Sequence, residues 1–231
     1  MNALMGLYEQ ALPIFAELVA ELAGAGLPMR RGVELRRGAG LLTYFDRDDG
    51  HIYLCLACGE DPKGQLAGLY LSSLLGITTA ELDRLIRFLL PWTLAHELGH
   101  CLRHHEGMFG DDLFVEERAA NDFASALTGA FYEGAERRAG VALVERAAAH
   151  LQREHPLPRD LASGLDLLAA ETRGGAPRDS AALSAFTRRF SADYTADPAA
   201  YIGIQMVWIS AYLRAPRRAL DEVARAHLAR T

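Results

Sequence analysis

Apolar side chains at Leu4, Leu7, Tyr8, Leu12, Phe15, Leu18, Val19 and Leu22 recur at steps of three and four, the interval at which one face of an α-helix comes round. Pro13 either kinks this helix or marks its start, and Gly24-Ala25-Gly26 with Pro28 ends it. From Val33 to Ala57 the pattern changes to short runs of Leu, Tyr, Thr and Ile around a polar, glycine-ended turn, Asp46-Arg47-Asp48-Asp49-Gly50. That pattern predicts a hairpin of Leu41–Phe45 and His51–Ala57. Beyond Gly64 the chain is rich in Ala, Leu, Arg and Glu, with breaks at Gly76, Gly107–Gly110, Pro156–Pro158, Gly174–Pro177 and Pro216, and reads as helical. Two uncharged runs, 64–80 and 198–213, fall short of the roughly 20 apolar residues a bilayer crossing needs and are read as buried core helices. The Met and aromatic residues of Tyr201–Tyr212 are likewise assigned to the core ahead of a partner interface.

Length and composition narrow the class. The 231 residues, 50% of them hydrophobic, supply one large core or one domain with an appendage and exclude a disordered or fibrous chain. With 24 Lys and Arg against 30 Asp and Glu the net charge is -6, and no long basic run occurs, so neither nucleic acid nor an anionic membrane surface is expected as a partner. Three cysteines cannot form a disulfide framework and point to a reducing, cytoplasmic setting. The first 26 residues contain no Lys or Arg and are interrupted by Glu9, Glu17 and Glu21, which does not read as a signal peptide.

The chemistry lies in Thr93-Leu94-Ala95-His96-Glu97-Leu98-Gly99-His100, a His-Glu-x-x-His motif in a helical, apolar context. Positions i and i+4 share a helix face, so His96 and His100 can direct ring nitrogens at one point about 2 Å from each. Glu97 stands beside that point. A catalytic zinc takes three protein ligands and leaves a fourth position for water. The third is sought in Val115–Leu127, where Ala120, Ala124, Leu127 and Phe131 make an apolar helical stripe. Glu117 and Asn121 share that face; Glu117 is expected to turn toward the histidines, and Asn121 to hydrogen-bond a ligating side chain. Glu116, about 100 degrees round the helix, ranks behind Glu117.

These residues resemble the gluzincin-type zinc metallopeptidases, and among them the ImmA/IrrE-like group. The resemblance rests on Trp92–His100 followed by Glu117-x-x-Ala120-Asn121-x-Phe123-Ala124. It implies an α+β fold, a small antiparallel sheet over a zinc-binding helix pair with a helix-rich C-terminal part. It implies Zn2+ on His96, His100 and Glu117, with Glu97 as general base, and a substrate-binding edge strand at His51, Ile52, Tyr53, Leu54 and Cys55. The expected activity is hydrolysis of peptide bonds in one or a few intracellular protein targets, since that group tends to act on regulators. Where the group continues into a Leu-Leu-Met-Pro run, this chain has Leu127-Thr128-Gly129-Ala130, and nothing signals a helix-turn-helix module. The organisation expected is a metallopeptidase core over 1–134 and a helical part over 135–231, with Gly174–Pro177 as a linker and the C-terminal helices as a partner surface.

Other readings stay beside this one. Tyr132, His150, His155, Tyr194 and Tyr201 are candidates for steadying an oxyanion, and spacing does not choose among them. His104 lies on the same stripe as His96 and His100 but is read as a solvated helix end. Cys55, Cys58 and Cys101 could furnish a structural metal site, although buried apolar filling is the commoner role for such cysteines. A regulatory or scaffolding protein with a degenerate peptidase site, and a hydrolase of non-peptide bonds, are the alternatives in function.

Overall fold

The computed structural model describes residues 6–29, 32–55, 62–173, 186–190 and 197–229. It is an α+β fold in which a small sheet lies near the N-terminus and helices make up nearly all the rest. Helix α1 (Leu7–Gly24) runs through Pro13 without ending and buries Leu7, Ala11, Phe15, Leu18 and Leu22. The buried stripe is therefore centred on Ala11, while Leu12 is left exposed. Strands β1 (Leu35–Gly38), β2 (Tyr44–Phe45) and β3 (Ile52–Cys55) follow.

The hairpin is present in shortened form, with Tyr44 opposite Tyr53 and Phe45 opposite Ile52. The sheet is mixed, however, not wholly antiparallel. β1 pairs parallel to β3, Leu35 opposite Ile52 through Gly38 opposite Cys55, so the order is β1-β3-β2. β1 escaped the pattern reading because Leu-Arg-Arg-Gly carries no apolar alternation. Its last residue has to be small: a Cβ on Gly38 would stand 2.8 Å from Cys55 Sγ and 3.0 Å from Tyr53 Cβ. Residues 56–58, including Cys58, lie outside the described residues, as does the linker expected at Gly174–Pro177.

Helix α2 (Pro62–Leu75) buries Leu71, Leu74 and Leu75 but exposes Leu66, Leu69 and Tyr70. The run at 64–80 is thus a half-buried helix and its cap, not a fully buried one. Helix α3 (Thr79–His105) starts from a capping box in which Thr78 and Glu81 each accept from the other's backbone N–H, and it continues through Pro91. It stops at Gly107, whose φ of 67° is the left-handed turn that a Cβ would strain. Helix α4 (Leu113–Leu127), capped by Asp112, packs along α3.

After a single 3-10 turn come α5 (Gly134–Glu154), α6 (Arg159–Thr172), α7 (Pro198–Arg214) and α8 (Leu220–Leu228). α7 packs on α4, α5 and α6, and Ile202, Ile204, Met206, Trp208, Ile209 and Leu213 are buried on it, as the apolar run at 198–213 predicts. α8 lies on α4. One hydrophobic core joins residues from α1 to α8. Among the described residues, no helix is long and apolar enough to cross a membrane.

Candidate metal centre

α3 and α4 cross where both surfaces are small. Ala95, Ala119, Ala120 and Ala124 have no measurable exposure, and a Cβ on Gly99 would meet Ala120 Cα at 3.0 Å and Phe123 Cβ at 3.1 Å. This close approach brings a carboxylate of α4 to the two histidines of α3. His96 Nε2 and His100 Nε2 are 3.2 Å apart, and the Glu117 oxygens lie 3.3 Å from His96 Nε2 and 3.7 Å from His100 Nε2. His96, His100 and Glu117 are all buried.

The donor set fits a metal ion. His96 Nδ1 is 3.1 Å from Asn121 Oδ1, an acceptor, which assigns the ring proton to Nδ1 and leaves the Nε2 lone pair aimed into the cluster. Lone pairs of His96 and oxygens of Glu117 then face one another in a largely buried setting, an arrangement that needs a cation or shared protons between them. Ligands about 2.0–2.1 Å from one ion at tetrahedral angles stand roughly 3.3 Å apart, which matches the spacing found. Among the described residues, this is the group of His, Cys, Asp and Glu side chains whose ligand atoms converge, all within 4.8 Å of one another. With protons on the facing histidine nitrogens in place of a metal, burial still opposes ionisation of Glu117, but the hydrogen bonds and charge of His100 and His96 overcome it and hold the carboxyl well below its usual range.

Glu97 occupies a different position. Its carboxylate is buried, which pushes its pKa up, and Oε2 accepts a hydrogen bond of 2.9 Å from the Phe45 backbone N–H. That N–H belongs to the outer edge of β2, because the neighbouring Asp46 N–H is the one that points back to β3, at His51 O. The edge strand expected at His51–Cys55 is consequently misassigned. β3 is the central strand, paired with β1 on one side and with β2 on the other, where Thr43 Oγ1 also accepts from the Cys55 N–H. The strand whose outer edge reaches Glu97 is β2, through Phe45.

Gln205 on α7 donates from Nε2 to Glu117 Oε2 at 2.8 Å. It is a buried amide in an otherwise apolar helix, a position that requires a partner, and that was the signal available in the sequence. Phe109, in the turn after α3, packs its ring 5.8 Å from that of His100. The turn is fastened by Arg103, which makes two hydrogen bonds to Glu116, at 2.7 and 2.8 Å, and one to Met108 O. Glu116 is therefore part of a buried ion pair and is absent from the cluster.

The remaining candidates separate clearly. His104 is half-buried between Phe45 and Phe109, not a solvated helix end, and stands outside the converging group. Cys55 and Cys101 are buried free thiols, and burial raises the pKa of both. Of the oxyanion candidates, Tyr201 shares a cavity wall with His96 and Glu97. Tyr132 packs on Phe88, His150 faces Arg153, and His155 lines a separate hollow. Tyr194 lies outside the described residues. A scan of family models, a search of curated proteins and a search of solved structures each found no match to this chain.

Proposed function

We propose that the chain is a zinc-dependent peptidase acting on a protein or peptide, with His96, His100 and Glu117 holding the ion and Glu97 serving as general base. The observation that carries this reading is the convergence of three buried ligand side chains beside a second buried carboxylate, Glu97, that is not part of the cluster. When bound, zinc would supply Lewis-acid polarisation of the scissile carbonyl and lower the pKa of a water toward about 7.

This chain's own groups do the rest. Glu97, its pKa raised by burial toward the working range of a general base, takes the proton of the attacking water as the new C–O bond forms. It delivers that proton to the amine nitrogen as the C–N bond breaks. The Phe45 N–H orients the Glu97 carboxylate, Asn121 fixes the His96 tautomer, and Gln205 holds the Glu117 oxygens toward the histidines. Tyr201 is the side chain we assign to the developing oxyanion. An extended substrate pairs with the outer edge of β2, at backbone groups other than the Phe45 N–H that Glu97 occupies, and not with β3. By its resemblance to the ImmA/IrrE-like group, the substrate class is a small number of regulatory proteins in the cytoplasm.

Elemental analysis of the purified protein and of two variants tests the reading. One zinc per chain is expected in the wild type and in Glu97→Gln, and a much weakened site in Glu117→Ala. Glu97→Gln should also lose all proteolysis. Undiminished zinc in Glu117→Ala would remove the ligand assignment, and turnover retained in Glu97→Gln would leave a metal-binding protein without this mechanism.

A further inference from the structure

Beside the metal cluster lies a cavity of about 200 Å³. Its walls come from five elements, with Leu7 from α1, Leu54 from β3, Leu71 from α2, Leu85 from α3 and Ile209 from α7. Its charged or strongly polar lining is concentrated at the cluster, in His96, Glu97 and Gln205, with Thr93 one helical turn before Glu97. Leu42 lines the cavity and is also 41% exposed, which places the mouth at the loop between β1 and β2, beside the strand edge that reaches Glu97.

Three physical facts select the occupant. An apolar cavity on the order of 150 Å³ takes up benzene, so this one has room for a leucine- or phenylalanine-sized group. Water in its depth would find few hydrogen-bond partners, and a void of this size forfeits dispersion contacts that a close-packed interior otherwise makes. A lysine or arginine would meet a single carboxylate, Glu97, in the lining and would leave its charge unpaired among the leucines and isoleucines elsewhere. From these we infer that the cavity is the subsite for a large aliphatic or aromatic side chain flanking the scissile bond, an assignment that rests on the peptidase reading for the bond but on the cavity alone for the side chain. Helix α7 thereby shapes selectivity, through Ile209 and Met206, as well as holding Glu117 through Gln205.

Two measurements on the zinc-loaded full chain test this, each on the wild type and on Ile209→Phe and Ile209→Ala. In the first, binding of N-acetyl-leucine amide, N-acetyl-phenylalanine amide and N-acetyl-lysine amide is followed by tryptophan emission, since Trp92 lines the cavity. The leucine and phenylalanine amides should bind saturably and the lysine amide should not. Ile209→Phe should weaken the phenylalanine amide at least about tenfold, while Ile209→Ala keeps it. In the second, a peptide library should be cleaved at bonds with Leu, Phe or Met on one side at least about tenfold faster than with Ala. That preference should move toward smaller residues in Ile209→Phe and larger ones in Ile209→Ala. Binding of none of the amides, or a cleavage pattern indifferent to side-chain size or identical in the two variants, overturns the assignment. If no peptide is cleaved while the leucine amide still binds in a manner that depends on position 209, the peptidase reading falls and the apolar subsite stands.

Discussion

Gln205 and Asp122 show what single buried polar groups do in this chain. Gln205 holds a Glu117 oxygen, and its replacement by leucine keeps the approximate size of the side chain while removing that donor. Gln205→Leu is expected to leave helix content unchanged and to weaken zinc about 10–100-fold, measured by competition with a chromophoric chelator. Asp122 is buried on α4 and accepts from Tyr212 Oη at 2.8 Å, Arg218 at 2.9 Å and His227 at 2.7 Å. Burial opposes its charge, but the His227 hydrogen bond, the Arg218 charge and the Tyr212 hydroxyl win, so its folded pKa lies below the ordinary 3.8. Near that pH the unfolded chain binds more protons than the folded one, and its stabilisation, complete above about pH 5, drains as pH falls through 3.8 to the lower folded value. Urea unfolding of wild type and Asp122→Asn between pH 3 and 6 should show the two curves converging at the acid end.

At the scale of elements, the site is a consequence of how closely α3 and α4 approach. Gly99 against Ala120 removes the Cβ that would keep the helix backbones apart, and the Arg103–Glu116 pair fastens the turn that joins them. Gly99→Ala should push Ala120 and Phe123 outward by a few tenths of an ångström, destabilise the chain by about 1–3 kcal/mol and lower zinc affinity with it. Chelator competition together with denaturant unfolding checks both effects, and intact affinity in a destabilised variant would show that the crossing does not set the ligand geometry. What was legible in the sequence is the apolar stripe of Ala120, Ala124, Leu127 and Phe131 with Glu117 and Asn121 on the same side; the close approach at Gly99 comes from the structure. The sheet was not legible. β1 has a polar, glycine-ended sequence and pairs with a strand beyond the intervening β2, so no local signal marks its parallel register.

Across the whole molecule, ligand burial ties the centre to folding. Glu117 is held from α7, and α8 is tied to α3 through Arg103 Nη1 and His227 O at 2.6 Å, so the ligand helices are braced by the C-terminal part of the chain. A metal that binds only the folded chain adds about 4 kcal/mol of stability when free zinc is about a thousand times Kd. Thermal unfolding should therefore shift downward on chelation and return on adding zinc back. A midpoint indifferent to chelator would mean that the cluster holds no metal.

The sequence by itself determined the helices, the motif at His96-Glu97 and the placing of Glu117 and Asn121 on one face, because these follow from periods of three and four residues within a single segment. Tertiary structure decided which strand lies at the sheet edge, that Phe45 reaches Glu97, that Gln205 reaches Glu117, and that five elements enclose an apolar cavity. Each of these joins residues tens of positions apart, and such contacts are selected by the packing of the whole core. A helical or strand period reports only which side of an element faces inward; it carries no information on what will be met there.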